Sequence, residues 1–280
     1  MENVSCYNCG STDATPFAME NGYSLTKCTK CGLLYVNPRP SNEEIEQAHR
    51  LGQHRGLKPV ETTGYYDFSK VSSYVRTLRD IFGSGRDLRG RWLDIGCGYG
   101  EFMLALKKFS GNGLDVIGVE PNVHKTAAAK KKGLNVSYFD LDGHTEKYDY
   151  ISILNVYSHL PDPPKALAAW KRLLTPGGQL LLETGDTADM SPETHPTPYY
   201  LPDHLSFGSE SIVVRVLENA GFQILEVQKY PEVRETPMAI FREALKVVVP
   251  GKHSRIMRVL KGDVRRIDMY VHARLEPQPS

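Results

Sequence analysis

Short apolar runs alternate with amphipathic segments along most of the chain after residue 85. The runs are bounded by glycine and polar residues, and they predict strands near 92–95, 115–119, 135–139, 149–154, 179–183, 223–229 and 267–274. Apolar residues at helical spacing predict helices near 100–109, 122–132, 164–174 and 209–220. The Thr-Pro-Gly-Gly sequence at 175–178 predicts a break before the fifth strand. Strands that alternate with helices in this way indicate an α/β fold.

The region before residue 85 predicts two further helices. Ser41 is expected to cap the first, because Glu44 is placed to complete a capping box with it. Residues 51–63 are polar and predict a linker. From Tyr65 to Phe82, apolar residues recur at helical spacing, which predicts an amphipathic helix that leads into the main domain.

These patterns divide the chain into three parts. Residues 1–40 are expected to form a small cysteine-rich module, residues 41–84 a helical linker with the leading helix, and residues 85–280 the main domain. Two segments are not part of the alternating core and are interpreted as insertions, at 186–206 and at 231–266, the second with a helix predicted near 238–249. Insertions beside the carboxyl ends of strands usually shape a substrate pocket.

Four of the five cysteines form two Cys-x-x-Cys pairs, Cys6 with Cys9 and Cys28 with Cys31. The separation of the pairs is typical of a zinc ribbon. A glycine follows each pair and permits the tight turn that directs two thiolates to one ion. Because protein would fill all four positions, the zinc would be structural. Two disulfides or free thiols are the alternatives, and disulfides are disfavoured in a chain without a secretion signal.

Chain length, net charge and the distribution of apolar residues restrict the classes of protein to which this sequence can belong. The 280 residues suffice for one α/β domain with a small appendage, and the formal net charge is +1. No early segment has the pattern of a signal peptide, and no apolar run approaches the length of a membrane span. We therefore expect a cytoplasmic protein without a membrane partner. The near-neutral charge also argues against nucleic acid as the main partner.

A glycine-rich turn follows the first strand of the main domain. Its sequence, Asp94-Ile95-Gly96-Cys97-Gly98-Tyr99-Gly100, lets the backbone turn and approach a ligand closely. Glu120 ends the next apolar run, where nucleotide-binding α/β folds place a ribose-binding acid. A dinucleotide fingerprint would need a further glycine at 101 or 103, but these positions hold Glu101 and Met103. The turn therefore does not match a dinucleotide site.

These motifs resemble class I methyltransferases that use S-adenosylmethionine (SAM) and carry an N-terminal zinc-binding module. That group includes many enzymes of sugar, polysaccharide and natural-product pathways. Beyond the cysteine pairs and the glycine turn, the resemblance rests on the segments Tyr35–Pro40, Val119–Pro121, Asn155–Pro163, Leu174–Gly178 and His204–Ser209. It implies a Rossmann-like, seven-stranded sheet with an antiparallel last strand. Ser158 stands where relatives commonly have an acid, so the role of that acid is not transferred.

The resemblance also implies roles for individual residues around the cofactor. The residues expected to surround its methionine part are Asp94, Gly96, Gly98 and Gly100. Glu120 would accept hydrogen bonds from the ribose hydroxyls, and Asn155 would lie where cofactor and substrate meet. Asp140 and Leu141 are candidates to flank the adenine, although residues 140–143 are equally compatible with a simple turn. Tyr66 or Tyr65, on the leading helix, is a candidate to contact the cofactor's carboxylate, the alternative being an ordinary core aromatic.

Two histidines are candidates for the group that removes a proton from the acceptor. His159 follows the fourth strand, where this family often has a histidine, and a neutral imidazole can accept a proton near pH 7. Its alternative role is a structural hydrogen bond to a loop carbonyl. His204 lies in the first insertion, where it is a candidate to bind substrate, act as the base or hold the loop in place.

A basic stretch between residues 246 and 266 bears on the acceptor. Its cations are Lys246, Lys252, Arg255, Arg258, Lys261, Arg265 and Arg266. The stretch favours a solvated helix face, and the alternative is a docking site for a phosphate- or nucleotide-linked acceptor or for RNA.

The leading hypothesis is a SAM-dependent methyltransferase that acts on a small molecule such as a sugar, a nucleotide-sugar or a related secondary metabolite. The large C-terminal domain of sugar C-methyltransferases is not among these 280 residues, which favours an oxygen or nitrogen acceptor. An RNA methyltransferase is the first alternative, because certain ribosomal-RNA methyltransferases join a zinc ribbon to this fold. A non-catalytic zinc-ribbon interaction protein on a degenerate methyltransferase fold is the second.

Overall fold

The computed structural model describes residues 1–111, 113–141, 143–231 and 265–276. A helix expected from the sequence near 238–249 and most of the basic stretch lie outside these residues. No helix within the described ranges is long and apolar enough to span a bilayer.

The first part of the chain forms small sheets and two helices. Its elements are β1 (Ala14–Glu20), β2 (Tyr23–Cys28), β3 (Leu34–Val36), α1 (Asn42–Leu51), β4 (Gln53–His54), β5 (Val60–Glu61) and α2 (Phe68–Phe82). The capping box predicted at α1 is confirmed, because Ser41 Oγ accepts the Glu44 N–H and Glu44 Oε2 accepts the Ser41 N–H.

In the rest of the chain, strands and helices alternate as the sequence predicts. Its elements are β6 (Gly90–Ile95), α3 (Glu101–Ser110), β7 (Leu114–Glu120), α4 (Val123–Lys131), β8 (Val136–Tyr138), β9 (Tyr148–Leu154), α5 (Pro163–Trp170), β10 (Leu174–Gly185), β11 (Ser206–Phe207), α6 (Glu210–Asn219), β12 (Phe222–Tyr230) and β13 (Asp268–Leu275).

Seven strands form the central sheet in the order β12-β13-β10-β9-β6-β7-β8. The pairs β6–β7, β7–β8, β6–β9 and β9–β10 are parallel, whereas β13 is antiparallel to both β10 and β12. This arrangement confirms the predicted Rossmann-like methyltransferase sheet. The chain leaves β6 toward β7 on one side and returns on the other side as β9. Ligands bind in such folds at the carboxyl ends of the strands where the order reverses, here at β6 and β9.

The sheet packs apolar side chains on both faces. One cluster includes Leu93, Ile151 and Leu182, and the other includes Trp92, Met103 and Leu106. Adjacent strand residues therefore point into different clusters, which is why the parallel strands appear in the sequence as continuous apolar runs. The Trp92 Nε1–H is satisfied within the core by Ser152 Oγ at 2.9 Å.

A four-stranded sheet joins the cysteine-rich module to the rest of the chain. Its order is β1-β2-β3-β11, and β11 pairs antiparallel with β3 although it follows the insertion predicted at 186–206. Tyr199, Leu201 and Ile212 are buried in the same apolar cluster as the module's Leu25 and Leu33. The module thus shares its core with the segment that leads to His204.

Three local predictions were wrong. The break at 175–178 is a bulge within β10, where the pairing with β9 shifts between Leu174 and Gln179. The leading helix begins at Phe68, because Asp67 caps it by accepting the Ser69 N–H; Tyr66 therefore precedes this helix. The segment 51–63, predicted as a linker, contains the β4–β5 hairpin.

Candidate active site

Asp94 and Glu120 lie in β6 and β7 at their carboxyl ends, and Asn155 directly follows β9. The structure therefore brings these three predicted site residues to the sheet edge where the strand order reverses. Asn155 has an exposed side chain and a left-handed backbone with φ of 55°. This conformation is one that asparagine adopts more readily than most residues.

The glycine turn between β6 and α3 depends on left-handed backbone at three positions. Gly96, Gly98 and Gly100 have φ values of 73°, 57° and 85°. A Cβ on Gly96 would lie 2.3 Å from Val156 Cγ2, whereas a Cβ on Gly98 would meet no atom within 4 Å. Gly96 is therefore required for packing against the loop after β9, while Gly98 faces open space that a ligand can occupy.

We expect Gly96→Ala to lower the free energy of unfolding by about 2–5 kcal/mol. The left-handed backbone costs an alanine about 1–2 kcal/mol, and the clash with a stiff β-branched valine adds about 1–3 kcal/mol. Gly98→Ala is the matched control and should cost only the backbone contribution, because its Cβ has room. Urea unfolding of both variants measures the difference, and equal losses would contradict the packing role of Gly96.

Glu120 is a buried carboxylate fixed by the backbone, with 5% of its surface exposed. Its Oε2 accepts the Gly98 N–H at 2.8 Å, and its Oε1 accepts the Asn122 N–H at 2.9 Å. Burial raises the pKa of Glu120, while the Asn122 and Gly98 N–H groups and the nearby Lys125 oppose that shift. The carboxylate is therefore oriented beside the glycine turn, and each oxygen keeps a lone pair for a ligand hydroxyl.

Asp94 carries a buried oxygen that is not hydrogen-bonded. Its Oδ1 accepts the Ser152 hydroxyl at 2.5 Å, whereas Oδ2 has no hydrogen-bond partner in the described part of the chain. Burial raises the pKa of Asp94 to about 7, against the effect of Ser152. A buried acceptor without a partner suits a positively charged ligand group. SAM presents both an ammonium and a sulfonium, so these residues fit the expected cofactor.

The segment before α2 covers the glycine turn from outside. The Tyr99 hydroxyl donates to the Gly64 carbonyl at 3.1 Å, and the Asp67 N–H donates to Glu101 Oε1 at 3.0 Å. Tyr66 is half-buried, and Lys132 Nζ lies 4.3 Å from the centre of its ring. Tyr66 therefore lies next to the turn, as its predicted contact with the cofactor requires, although that contact remains a prediction.

Asp140 and Leu141 follow β8, farther along the same edge. Asp140 is exposed, and its Oδ1 accepts the Gly143 N–H at 3.3 Å, as in a simple turn. Leu141 is only 4% exposed and packs in the core beneath the sheet. The turn that was the alternative to an adenine site is therefore present, and adenine contact by these residues remains a prediction.

The two candidate histidines lie in one cluster around Asp203. The ring centroids of His159 and His204 are 4.7 Å apart. His159 Nδ1 donates to the Asp203 carbonyl oxygen at 2.9 Å and lies 3.2 Å from Asp203 Oδ1. His54 Nε2 lies 3.0 Å from the same Oδ1, and the ring of His49 contacts those of His54 and His159. The imidazoles of His159 and His54 thus contact one carboxylate, and those of His49 and His204 pack against them.

Burial and charge give the members of this cluster different proton affinities. Burial alone would lower the pKa of His159, but the Asp203 carboxylate outweighs it and the pKa is raised. Burial, reinforced by His159, lowers the pKa of His204 to about 4. Burial together with His159 and His54 lowers the pKa of His49 to about 3. Against its own burial, Asp203 has a pKa well below the usual range because of His159 and His54.

Sequence reasoning missed three members of this cluster. Asp203 directly precedes His204, and this acid–histidine pair in a predicted insertion was the available signal. His49 lies in the last turn of the first helix, and His54 lies in the predicted linker, where it is only 2% exposed. Nothing in the local pattern indicated that these two side chains would meet residues more than a hundred positions away.

The four paired cysteines converge as their spacing predicts. Cys6 Sγ lies 3.4 Å from Cys31 Sγ, and Cys9 Sγ lies 3.5 Å from Cys28 Sγ, so none forms a disulfide. All four sulfur atoms lie within 4.8 Å of one another. A tetrahedral zinc site with bonds of about 2.3 Å has sulfur atoms about 3.8 Å apart, so this donor set fits zinc.

Comparisons with known proteins agree with this geometry. Residues 66–227 match the family described as "Methyltransferase domain". The ubiquinone biosynthesis O-methyltransferase of Saccharophagus degradans is 30% identical over 102 residues, which cover 33% of this chain and 42% of that protein. The tRNA U34 carboxymethyltransferase of Azotobacter vinelandii is 37% identical over 110 residues, 35% of this chain and 34% of that protein. The chain thus spans about two fifths or less of these curated relatives.

Solved structures share the fold at low sequence identity. A SAM-dependent methyltransferase from Archaeoglobus fulgidus matches with a TM-score of 0.51 and 20% identity, covering 73% of this chain and 94% of that one. A chain from the complex of the Haloferax volcanii Trm112 methyltransferase activator with a putative methyltransferase matches with a TM-score of 0.53 and 14% identity. The match covers 77% of this chain and 100% of that one. The [4+2]-cyclase SpnF matches with a TM-score of 0.50 and 17% identity, covering 75% of this chain and 82% of that one. The fold alone therefore does not determine which reaction is catalysed.

Proposed function

This chain belongs to the methyltransferase domain family. We propose that it is a SAM-dependent methyltransferase and that its acceptor is an oxygen or nitrogen atom of a small polar molecule. A sugar, a nucleotide-sugar or a related metabolite is the class we favour. The observation that carries this proposal is the group of histidines around Asp203, which is connected to Glu120 through Asn122. Oxygen and nitrogen acceptors lose a proton when they are methylated, and such a cluster can receive it.

The residues of the sheet edge would bind the cofactor in the following way. Glu120 would accept the ribose hydroxyls, and Asp94 would face the positively charged end of the methionine part. The glycine turn would allow the close approach. SAM itself supplies an electrophilic methyl group, so the protein needs chiefly to position the acceptor and manage its proton.

His204 is the group we propose as the base. Its Nδ1 is buried and has no hydrogen-bond partner among the residues that the structure describes. Burial lowers the pKa of the His204 ring to about 4, so the imidazole is neutral near pH 7 and one of its two nitrogens can accept a proton. Asp203, which is adjacent in sequence, would stabilise the imidazolium formed when the proton arrives. Tyr200 is 53% exposed, and its ring lies 6.0 Å from that of His204, so it offers an aromatic surface to an acceptor.

A structural zinc ion is part of the proposal. The thiolates of Cys6, Cys9, Cys28 and Cys31 would hold it. The ion would stabilise a module whose sheet continues into β11, immediately after His204. The zinc would therefore help to fix the position of the base without taking part in the reaction.

We expect Glu120→Gln to weaken S-adenosylhomocysteine binding by roughly 10- to 150-fold, the equivalent of about 1.5–3 kcal/mol for a hydrogen bond to a charged group. The amide also places an N–H group against one of the two backbone donors that Glu120 now accepts. Asp115→Asn, at an exposed position of the same strand, is the matched control. Calorimetric titration measures both variants, and wild-type affinity in Glu120→Gln would refute the ribose role.

An acceptor screen tests the proposed substrate class. The zinc-loaded protein is incubated with methyl-labelled SAM and a panel of sugars, nucleotide-sugars, phenols and amines, and the products are analysed by mass spectrometry. Methylation at oxygen or nitrogen of a small molecule supports the proposal. Methylation confined to carbon acceptors would contradict it.

RNA is the second candidate acceptor, because a tRNA-modifying enzyme is among the proteins to which part of this chain is similar. RNA binding that depends on the phosphate backbone weakens steeply as salt rises. A strong, salt-dependent affinity for tRNA or ribosomal RNA, together with label transfer to it, would place RNA first. If the label is transferred to a small molecule and the protein binds RNA only weakly, RNA is excluded as the acceptor.

A further inference from the structure

The histidine cluster contains buried polar atoms that its hydrogen bonds do not account for. His49 Nε2 and His204 Nδ1 are both buried, and neither has a hydrogen bond to any residue in the described ranges. Buried polar atoms are nearly always paired in folded proteins, and exceptions point to an ion, a water molecule or a catalytic role. The proposed base role accounts for His204 alone, so His49 Nε2 needs a different explanation.

The positions of three side chains suggest what that explanation is. His49, His159 and Asp203 each offer one ligand atom, and these atoms all lie within 4.8 Å of one another. A metal ion bound at about 2.0–2.2 Å has ligand atoms roughly 3–4.4 Å apart, so small side-chain movements would complete such a site. The three residues come from α1, from the turn after β9 and from the segment before β11, so the fold itself brings them together.

We propose that His49, His159 and Asp203 bind a divalent first-row transition-metal ion, forming a metal site separate from the four cysteines. Two imidazoles and one carboxylate suit Zn²⁺, Co²⁺ or Mn²⁺, whereas Mg²⁺ and Ca²⁺ prefer oxygen ligands alone. Three protein ligands are also the number found in catalytic zinc sites, which keep a position for water or substrate.

The surroundings of the three ligands match those of metal sites. His54 Nε2 lies 3.0 Å from Asp203 Oδ1, where it can orient the carboxylate. Carboxylates and histidines that bind metals are usually held by such neighbours. The backbone carbonyl of His49 accepts a hydrogen bond from Asn122 Nδ2 at 3.3 Å, and the Asn122 N–H donates to Glu120 Oε1. The metal site is therefore connected to the acid assigned to the cofactor's ribose.

This inference rests on the proposed function, because it assigns the ion to the acceptor side of the same site. An acceptor hydroxyl bound to a divalent ion is more acidic than in water. Its proton would pass to His204, whose ring lies 4.7 Å from that of His159. The acceptor oxygen would then form the new bond to the methyl group, and the sulfur of SAM would keep the electron pair of the broken bond.

Metal analysis of three matched proteins tests the site. Wild type, His49→Ala and His124→Ala are dialysed to equilibrium against the same low concentration of Zn²⁺, and bound zinc is measured by elemental analysis. His124 is exposed on α4 and serves as the control for general loss of a surface imidazole. Co²⁺ is then exchanged into the protein, because its absorption spectrum distinguishes thiolate ligands from nitrogen and oxygen ligands.

We expect wild type and His124→Ala to hold one metal ion more per chain than His49→Ala, and that additional Co²⁺ to lack sulfur-to-metal charge-transfer absorption. The affinity lost in His49→Ala should be at least about 10- to 100-fold, the range observed when only a supporting residue is removed. Equal metal content in all three proteins, or metal bound only through thiolates, would overturn the site. His49→Asn serves as the variant if the alanine does not fold.

S-adenosylhomocysteine binding by the same samples separates the two proposals. Binding of this ligand without a second metal ion would refute the metal site and leave the methyltransferase proposal intact. A second metal ion without S-adenosylhomocysteine binding would support the metal site while removing the role assigned to it here.

Discussion

Cys28→Ser is expected to release zinc and unfold the sheet formed by β1, β2, β3 and β11. Structural zinc contributes about 10–16 kcal/mol of apparent binding free energy in zinc-finger peptides. Whole domains are stable by only about 5–15 kcal/mol. Losing one of four thiolates therefore removes a contribution comparable to the whole stability of this part of the chain. The buried residues of the module, among them Leu25 and Leu33, share their core with Tyr199 and Leu201.

We expect the loss of structure in Cys28→Ser to extend to the histidine cluster but not to the cofactor site. Asp203 and His204 lie between Leu201, which is buried against the module, and β11, which pairs with β3. The glycine turn and Glu120 instead lie on β6 and β7, whose partners are strands of the central sheet. We therefore expect Cys28→Ser to lose methyl transfer while it retains most of its affinity for S-adenosylhomocysteine.

Cys97→Ser provides the control for loss of a buried thiol, because Cys97 lies in the glycine turn and outside the four-cysteine group. Zinc content and hydrogen exchange of residues 1–40 are measured for both variants, and S-adenosylhomocysteine affinity is compared between Cys28→Ser and wild type. Retention of zinc and of slow exchange in Cys28→Ser would show that the cysteine site does not stabilise the module.

His204→Gln should lower the rate of methyl transfer by about 100- to 10,000-fold, the usual contribution of a positioned general base. Glutamine keeps polar atoms and much of the side-chain volume but cannot take up a proton at neutral pH. Because His204 contacts His159, Tyr200 and Phe207 rather than the glycine turn, S-adenosylhomocysteine affinity should remain at the wild-type value.

The size of the effect depends on the acceptor, which supplies a second test. An acceptor whose hydroxyl is already acidic, such as a nitrophenol, depends less on a base. The rate of methyl transfer to it should therefore fall less in His204→Gln than the rate of transfer to a sugar hydroxyl. His124→Gln controls for loss of an exposed imidazole. Full activity of His204→Gln on the sugar-type acceptor would exclude His204 as the base, and an equal loss on both acceptors would indicate a positioning role.

The central sheet could be predicted because its strands are buried on both faces and separated by strong turn signals. Leu93, Ile151 and Leu182 belong to apolar runs that cannot be mistaken for loops once Gly-rich turns divide them. The capping box at Ser41 and Glu44 was equally local, since both partners lie within one helical turn. The antiparallel last strand was expected from resemblance to known methyltransferases, because periodicity carries no information on strand direction.

The histidine cluster could not be predicted in the same way. His54 lies in a two-residue strand, which is too short to show any periodicity, and Asp203 meets His159 across 44 positions of sequence. The pairing of β11 with β3 is another long-range contact between short strands. These contacts arise because the cysteine-rich module folds back on the segment after β10, and no local propensity encodes that docking.

The most direct test of the account is calorimetric titration of the zinc-loaded wild-type protein with S-adenosylhomocysteine. The arrangement of Asp94, the glycine turn and Glu120 predicts one site per chain with a micromolar dissociation constant, and a rise in the thermal unfolding temperature as that site fills. A sample that unfolds cooperatively, holds its zinc and shows neither binding heat nor a thermal shift would contradict the cofactor site at this sheet edge.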